Sequence, residues 1–260
     1  MNLHTLGGMV MQKHISQRFI ELDILRGFAI IGMIFLHILY DLDYFGIIPL
    51  NLDIYRFQRI IPVLFFLLVG MCLVVSKNKK LHLPLDKQKE YNLHVVLRGL
   101  KIFSLGMIIT TITLLFMPDK PIIFGVLHCI GFSIVFSVPF LKFKYYNILF
   151  AAMIIIAGLI IGGYAVESPT AVHLAFGLHQ ANLAEYTIDY FPLLPWFGVT
   201  LLGVALGDWL YKDNKRRFTF PNLPNFKPFS VFSWMGRHSL AIYLLHQPVI
   251  AGILSIYLII

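Results

Sequence analysis

The chain has 260 residues, of which 58% are hydrophobic and only 13% are charged. This composition excludes an ordinary soluble domain and indicates an integral membrane protein. The net charge of +8 does not indicate nucleic-acid binding, because the basic residues fall between apolar segments and not along one soluble face. Residues 1–260 are expected to form a single transmembrane domain, since no internal repeat is visible.

Apolar windows long enough to cross a bilayer predict about seven transmembrane helices. In chain order they lie near 22–40, 57–76, 94–117, 121–141, 146–164, 190–211 and 238–259. The predicted fold class is therefore an all-α polytopic membrane protein with its helices in one bundle. Cys72 and Cys129 lie inside these apolar stretches, so we interpret them as core packing and not as a disulfide.

Lysine and arginine are unevenly divided between the connections. Three connections are strongly basic, namely 77–93, 142–145 and 212–237. The alternate three are mostly acidic, namely 41–56, 118–120 and 165–189. The positive-inside rule then predicts a cytoplasmic N-terminus and a C-terminus outside. The expected location is the membrane of a prokaryotic cell.

The first predicted helix carries ionisable side chains that hydrocarbon disfavours. His37 interrupts the apolar run from Gly27 to Tyr40, and such a residue usually faces protein or a water-filled cavity. Asp41 follows four residues later, so the imidazole and the carboxylate share one helical face. We interpret His37 and Asp41 as an acid–base pair. The alternative is that His37 only hydrogen-bonds a neighbouring helix.

Two more imidazoles are expected at membrane depth. His128 lies near the start of the fourth predicted helix, and His246 lies near the middle of the seventh. Three histidines could hold a metal ion, but no H-x3-H or H-E-x-x-H pair and no cysteine cluster accompanies them. We therefore expect no metal and favour proton relay or acid–base chemistry.

Charged residues gather at the predicted cytoplasmic ends of three helices: Asp23, Arg26, Arg98, Lys101, Arg237 and His238. Arg26 follows Asp23 by three residues on the same face, which predicts an internal ion pair. Such a pair leaves guanidinium hydrogens for an anionic ligand such as a phosphate. For Arg98 and Lys101 the alternative interpretation is contact with lipid headgroups.

The outer connection 165–189 is long for a loop in a compact domain. Its leucines and histidines could form a short interfacial helix: His173, Leu174, Leu178, His179 and Leu183. A lid or an acceptor-binding segment is therefore one interpretation of this connection.

Four segments resemble the transmembrane acyltransferases that include the heparan-alpha-glucosaminide N-acetyltransferase family. They are the run from Arg26 to His37, GVLHCIG at 125–131, LPWFGVTLLGVALG at 194–207 and GRHSLAIYLLHQP at 236–248. Together they span most of the chain in the right order. One departure is that the animal lysosomal enzymes have their proposed catalytic histidine in the loop after the first helix. The corresponding loop here, LDYFGIIPLNLDIYRF, has none, so that role falls to His37.

The resemblance implies that acetyl passes from cytoplasmic acyl-coenzyme A through the bundle to a carbohydrate acceptor outside. The implied catalytic residues are His37, Asp41 and His128. The implied donor contacts are Asp23, Arg26, Arg98, Lys101, Arg237 and His246. The two alternatives for the reaction are direct transfer of acetyl to the acceptor and transfer through a covalent acetyl-histidine. A homodimer in the lipid bilayer is also compatible with the sequence.

Two functions of other classes compete with acyl transfer. The first is a proton-coupled transporter or flippase that uses the three membrane histidines as a relay, although no repeated halves are visible. The second is a passive structural subunit, which would leave Arg26, His37 and Asp41 without a role.

Overall fold

The computed structural model describes residues 18–48, 59–80, 84–213, 215–221 and 227–259. The first four helices are α1 (Ile20–Tyr44), α2 (Ile60–Asn78), α3 (Leu85–Phe116) and α4 (Val126–Phe140). A short 3-10 turn, Lys144–Tyr146, leads into α5 (Asn147–Ile161), α6 (Ala171–Phe176) and α7 (Leu183–Tyr186). The rest comprises α8 (Leu193–Leu210), a hairpin of β1 (Tyr211–Lys212) and β2 (Lys215–Arg216), α9 (Lys227–Arg237) and α10 (Ser239–Ile259).

The predicted all-α polytopic fold is confirmed. Six described helical segments are long and apolar enough to cross a membrane, and α4 is a shorter apolar helix of 15 residues. These helices match the seven predicted ones, with shifted ends. Helix α3 begins at Leu85 and not near 94, and α4 begins only at Val126 because Gly125 before it is extended. Which side of the membrane each terminus faces stays a prediction.

Parts of the predicted connections lie outside the described residues. They are 1–17 before α1, 49–58 between α1 and α2, 81–83, 214 in the turn of the hairpin, and 222–226 before α9.

Helix α8 forms the centre of the bundle, between α2 and α5. Its glycines allow close approach: a Cβ at Gly203 would collide with the Leu67 carbonyl of α2, and one at Gly207 would lie 3.0 Å from the Met71 Cα. These two glycines therefore allow α2 and α8 to pack in close backbone contact. Around them the described core is completely buried at Leu201 and Val204.

Helix α9 was not predicted, because its 11 residues are too few and too polar to read as a membrane span. It packs along the first half of α1. A Cβ at Gly27 would collide with the Phe232 carbonyl, and one at Gly236 would collide with the Asp23 carbonyl. Since residue 27 meets 232 and residue 23 meets 236, the two helices run antiparallel in direct backbone contact.

The start of α1 is tied to the hairpin that follows α8. Glu21 is buried, and its carboxylate accepts hydrogen bonds from Arg216 Nε at 2.6 Å and Nη2 at 2.7 Å. The Tyr211 hydroxyl donates a further bond to Glu21 at 3.1 Å. These hydrogen bonds to Glu21 raise the pKa of the Arg216 guanidinium. A buried ion pair of this kind fixes position more than it adds stability.

Candidate active site

Helix α1 carries two groups of functional side chains near its opposite ends. Its 25 residues run from Ile20 to Tyr44. Arg26 precedes His37 by 11 residues, which corresponds to ~16 Å along a helix. One element therefore sets the distance between a charged group at its start and an imidazole near its end.

Asp23 is shared by two arginines at the start of α1. Its Oδ1 accepts from Arg26 Nη1 at 3.0 Å, and its Oδ2 accepts from Arg18 Nε at 2.6 Å. The predicted Asp23–Arg26 ion pair is therefore present. Arg26 also directs Nη2 at the Cys72 sulfur of α2, at 2.6 Å. Arg18 was not singled out from the sequence because it lies before the apolar run.

A cavity of about 220 Å³ opens beside this ion pair. We call it the basic cleft, and its charged lining residues are Arg18, Asp23, Arg26, Lys79 and Arg98. Four cations and a single carboxylate make it suitable for an anion, and guanidinium groups can bind phosphate through paired hydrogen bonds.

Two of the predicted donor contacts lie elsewhere. Lys101 and Arg237 are exposed, and neither lines the basic cleft. Lys101 lies one turn beyond Arg98 along α3, and Arg237 lies at the end of α9. Their expected contact with the donor stays a prediction, since neither residue is part of the cleft lining.

Near the other end of α1, His37 lies beside His246 of α10. Their ring centroids are 4.8 Å apart, with the planes tilted by 60°. The Nδ1 of His246 lies 2.5 Å from the Tyr243 carbonyl oxygen and must donate to it, so in a neutral ring Nε2 keeps its lone pair. Within the described chain that Nε2 is buried without a partner. Helix α10 thus brings His246 beside His37 and not to the basic cleft, and its expected contact with the donor stays a prediction.

Asp41 binds Gln247 and not His37. Its carboxylate accepts from Gln247 Nε2 at 2.9 Å and 3.2 Å, and Asp41 is only 5% exposed. Among the described residues, His37 has no hydrogen bond to Asp41. The four-residue spacing puts His37 and Asp41 on one face of α1, but the Asp41 carboxylate is hydrogen-bonded by the Gln247 carboxamide from α10 instead. No pattern in a single sequence indicated which face of α10 meets Asp41.

His128 is completely enclosed, and both of its ring nitrogens are occupied. Nδ1 accepts from the Gly125 backbone N–H at 3.1 Å, and Nε2 lies 3.3 Å from Thr110 Oγ1. The Thr110 hydroxyl in turn donates to the Ile122 carbonyl at 2.6 Å. His128 thus caps the start of α4 and joins it to α3. This geometry leaves no free nitrogen for the predicted catalytic contact with an acceptor.

The connection 165–189 is folded against the bundle. It contains α6 and α7, and Leu174 of α6 is buried, so the predicted short helix exists in two pieces. The Tyr190 hydroxyl donates to the Leu174 carbonyl at 2.7 Å. Whether this segment acts as a lid stays a prediction.

Asp189 joins the connection 165–189 to the start of α4. Its Oδ2 accepts from the Val126 backbone N–H at 3.1 Å. Burial raises the pKa of Asp189 from 3.8 to about 6, although the Val126 hydrogen bond acts in the opposite direction. Asp189 is therefore a titratable link between two elements near neutral pH.

Among the described residues, no group of three or more histidine, cysteine or acidic side chains could hold a metal ion.

Comparison with known proteins gives one family match. Residues 18–248 match the profile of the family described as heparan-alpha-glucosaminide N-acetyltransferase, catalytic. No curated protein and no solved structure matches the chain. The matched range contains both the basic cleft and the histidine pair.

Proposed function

The chain belongs to the heparan-alpha-glucosaminide N-acetyltransferase catalytic family and is a membrane acetyltransferase, and from this premise we propose that its donor is acetyl-coenzyme A. The observation that carries the proposal is that α1 bears an anion-binding cleft and a histidine pair at a fixed spacing. A transporter or a passive subunit needs neither feature in that arrangement.

The basic cleft receives the phosphates of the donor. Arg26 keeps one guanidinium nitrogen on Asp23 and directs another at the Cys72 sulfur, which a phosphate oxygen would replace as the stronger acceptor. The pantetheine arm then extends between helices toward His37. The ~16 Å between Arg26 and His37 along α1 is about half of a ~30 Å hydrocarbon core, so the thioester reaches well into the bundle.

The histidine pair provides the proton acceptor. The acceptor amine or hydroxyl attacks the thioester carbonyl, a bond to carbon forms, and the carbon–sulfur bond breaks to release coenzyme A as a thiolate. The acceptor proton passes to His37, and His246, whose ring centroid lies 4.8 Å away and whose Nε2 has no partner in the described chain, is the neighbouring base. A second route, in which His37 first takes the acetyl group itself, uses the same residues.

The acceptor is a carbohydrate that reaches the site from the outer side. The lysine and arginine distribution supports this direction, since the positive-inside rule predicts a cytoplasmic basic cleft and an external connection 165–189. The protein belongs in the membrane of a prokaryotic cell under this proposal. The acceptor would enter beneath the segment that contains α6 and α7.

Arg26→Gln tests the donor site. The variant keeps a polar side chain but loses the charge and the paired hydrogen bonds, so the Kd for acetyl-coenzyme A should rise about tenfold or more. Lys101→Gln is the matched control, because it removes one exposed charge outside the cleft and should leave the Kd unchanged. Binding can be measured by calorimetry in detergent.

Transfer itself is tested with radiolabelled acetyl-coenzyme A and a panel of amino sugars. Labelled N- or O-acetyl sugar should form with the wild-type protein. Equal donor affinity in Arg26→Gln and wild type would contradict the placement of the donor. Tight donor binding without transfer to any sugar would contradict the acceptor class.

A further inference from the structure

A second cavity opens on a different face of the end of α2. Its volume is about 320 Å³. We call it the lysine cavity, and the lining residues used here are Lys77, Lys80, Tyr91, Val138, Leu141 and Lys142. They come from the end of α2, the first turns of α3 and the end of α4. The basic cleft uses Val75, Ser76 and Lys79 of the same α2 end, so the two cavities share one end of the bundle without sharing residues.

The charges around the lysine cavity are of one sign. Three lysines line it, and no aspartate or glutamate does. Lys77 Nζ donates to the Leu141 carbonyl at 2.5 Å, which leaves two of its hydrogens for another acceptor. Asp208 lies near enough to Lys77 to offset part of one charge. The lysine cavity therefore keeps an excess of positive charge, which favours binding of an anion.

The other side of the cavity is apolar and lies at headgroup depth. Val138, Pro139 and Leu141 form an apolar wall, which a fully hydrated anion would not need. The exposed rings of Tyr145 and Tyr146 follow directly in the chain, as aromatic residues do at a membrane interface. Helix α3 has 32 residues and spans ~48 Å, more than a ~30 Å core, and the polar sequence of its first turns, DKQKEYN, indicates that this end projects beyond the hydrocarbon.

From this geometry we infer that the lysine cavity binds the phosphate of an anionic phospholipid, whose acyl chains lie along the apolar wall. Lys80 and Lys142 bind the phosphate at the rim of the cavity, and Lys77 binds it from the end of α2. The site is distinct from the basic cleft, so lipid and acetyl-coenzyme A bind together.

The test is a titration of the full-length protein in detergent with short-chain phosphatidylglycerol, followed by thermal shift. Lys80→Gln/Lys142→Gln should weaken binding by roughly tenfold or more, since a lysine near a lipid phosphate typically contributes about fivefold. Lys87→Gln/Lys89→Gln is the matched control, because both lysines are exposed on α3 outside the cavity. The control should bind with wild-type affinity.

Three results would overturn the inference. The first is an equal loss in the two double variants, which would indicate general surface attraction. The second is phosphatidylcholine binding as tightly as phosphatidylglycerol, or no binding of either. The third is inorganic phosphate displacing the lipid at similar concentration, which would identify a soluble phosphate as the ligand. If the double variant fails to fold, Lys80→Gln alone carries the test, with an expected loss of about fivefold.

Discussion

At the scale of single residues, the two histidines of the site differ in how they are held. His246 is oriented by the Tyr243 carbonyl, whereas His37 has no hydrogen-bond partner among the described residues. A base that must take a proton and then release it benefits from a free nitrogen. His37 is therefore the better candidate to contact the acceptor, and His246 the better candidate to position it and share its proton.

Substitution separates these two roles. His37→Gln should lower kcat by about 10²–10⁴-fold, the usual contribution of a positioned general base, and leave the Kd for acetyl-coenzyme A unchanged. His246→Gln should lower kcat less and should alter the pH profile, because it removes the neighbouring nitrogen and keeps the polar volume. His94→Gln, at an exposed position on α3, is the control and should behave as wild type. Activity of His37→Gln within a few-fold of wild type would exclude His37 as the base.

At the scale of elements, the crossing of α1 and α9 controls the basic cleft. Gly236 lies against the backbone of Asp23, the residue that holds both Arg18 and Arg26. Gly236→Ala should push α9 away from α1, at a cost of about 1–3 kcal/mol for overpacking, and should weaken donor binding. Gly252→Ala on α10 is the control, since its new methyl group would meet nothing within 4 Å. Thermal unfolding and titration of both variants with acetyl-coenzyme A check this prediction. Equal Tm values and equal donor affinities in the two variants would show that α1 and α9 are not closely packed.

The stability of the link between the connection 165–189 and α4 should depend on pH. The folded-state pKa of Asp189, about 6, lies above its ordinary value of 3.8. The ionised form is therefore disfavoured by folding, and the stability from this group is fully present below pH 4 and is lost as pH rises through 6. Asp189→Asn keeps an oxygen that can accept the Val126 hydrogen bond, and it should remove this pH-dependent contribution to stability. The difference in Tm between variant and wild type should grow from pH 4 to 7, and a constant difference would contradict the burial of a charged carboxylate.

At the scale of the whole molecule, the uneven distribution of lysine and arginine predicts the orientation. In intact cells, a membrane-impermeant thiol reagent should label a cysteine placed at Ser168, in the outer connection, and not one placed at Lys87. Both positions are exposed, so access across the membrane is the only difference. The wild-type protein controls for Cys72 and Cys129. Labelling at position 87 alone would reverse the predicted topology.

Most of the bundle could be predicted because long apolar runs have few structural options in a membrane. Helix α9 could not, since it is amphipathic and short, and its binding partner, the Gly27 face of α1, is remote in sequence. At the site, the Asp23–Arg26 pair could be predicted because both residues lie on one helix. The contacts of His37 with His246 and of Asp41 with Gln247 join α1 to α10, and a single sequence contains no information on how two distant helices are rotated.

Helix α1 is held by more contacts at its first turns than at its far end. Its first turns are fixed by the Glu21–Arg216 pair, by the two arginines on Asp23 and by the backbone contact with α9. Its far end meets α10, which is only 6% buried over its spanning window. The buried residues of α1 are concentrated in its first half, so we expect the end near His37 to move more easily, because fewer packed neighbours oppose displacement there. Under the proposed function, the firmly packed end of α1 would hold the donor, and the less packed end would accommodate acceptors of different size.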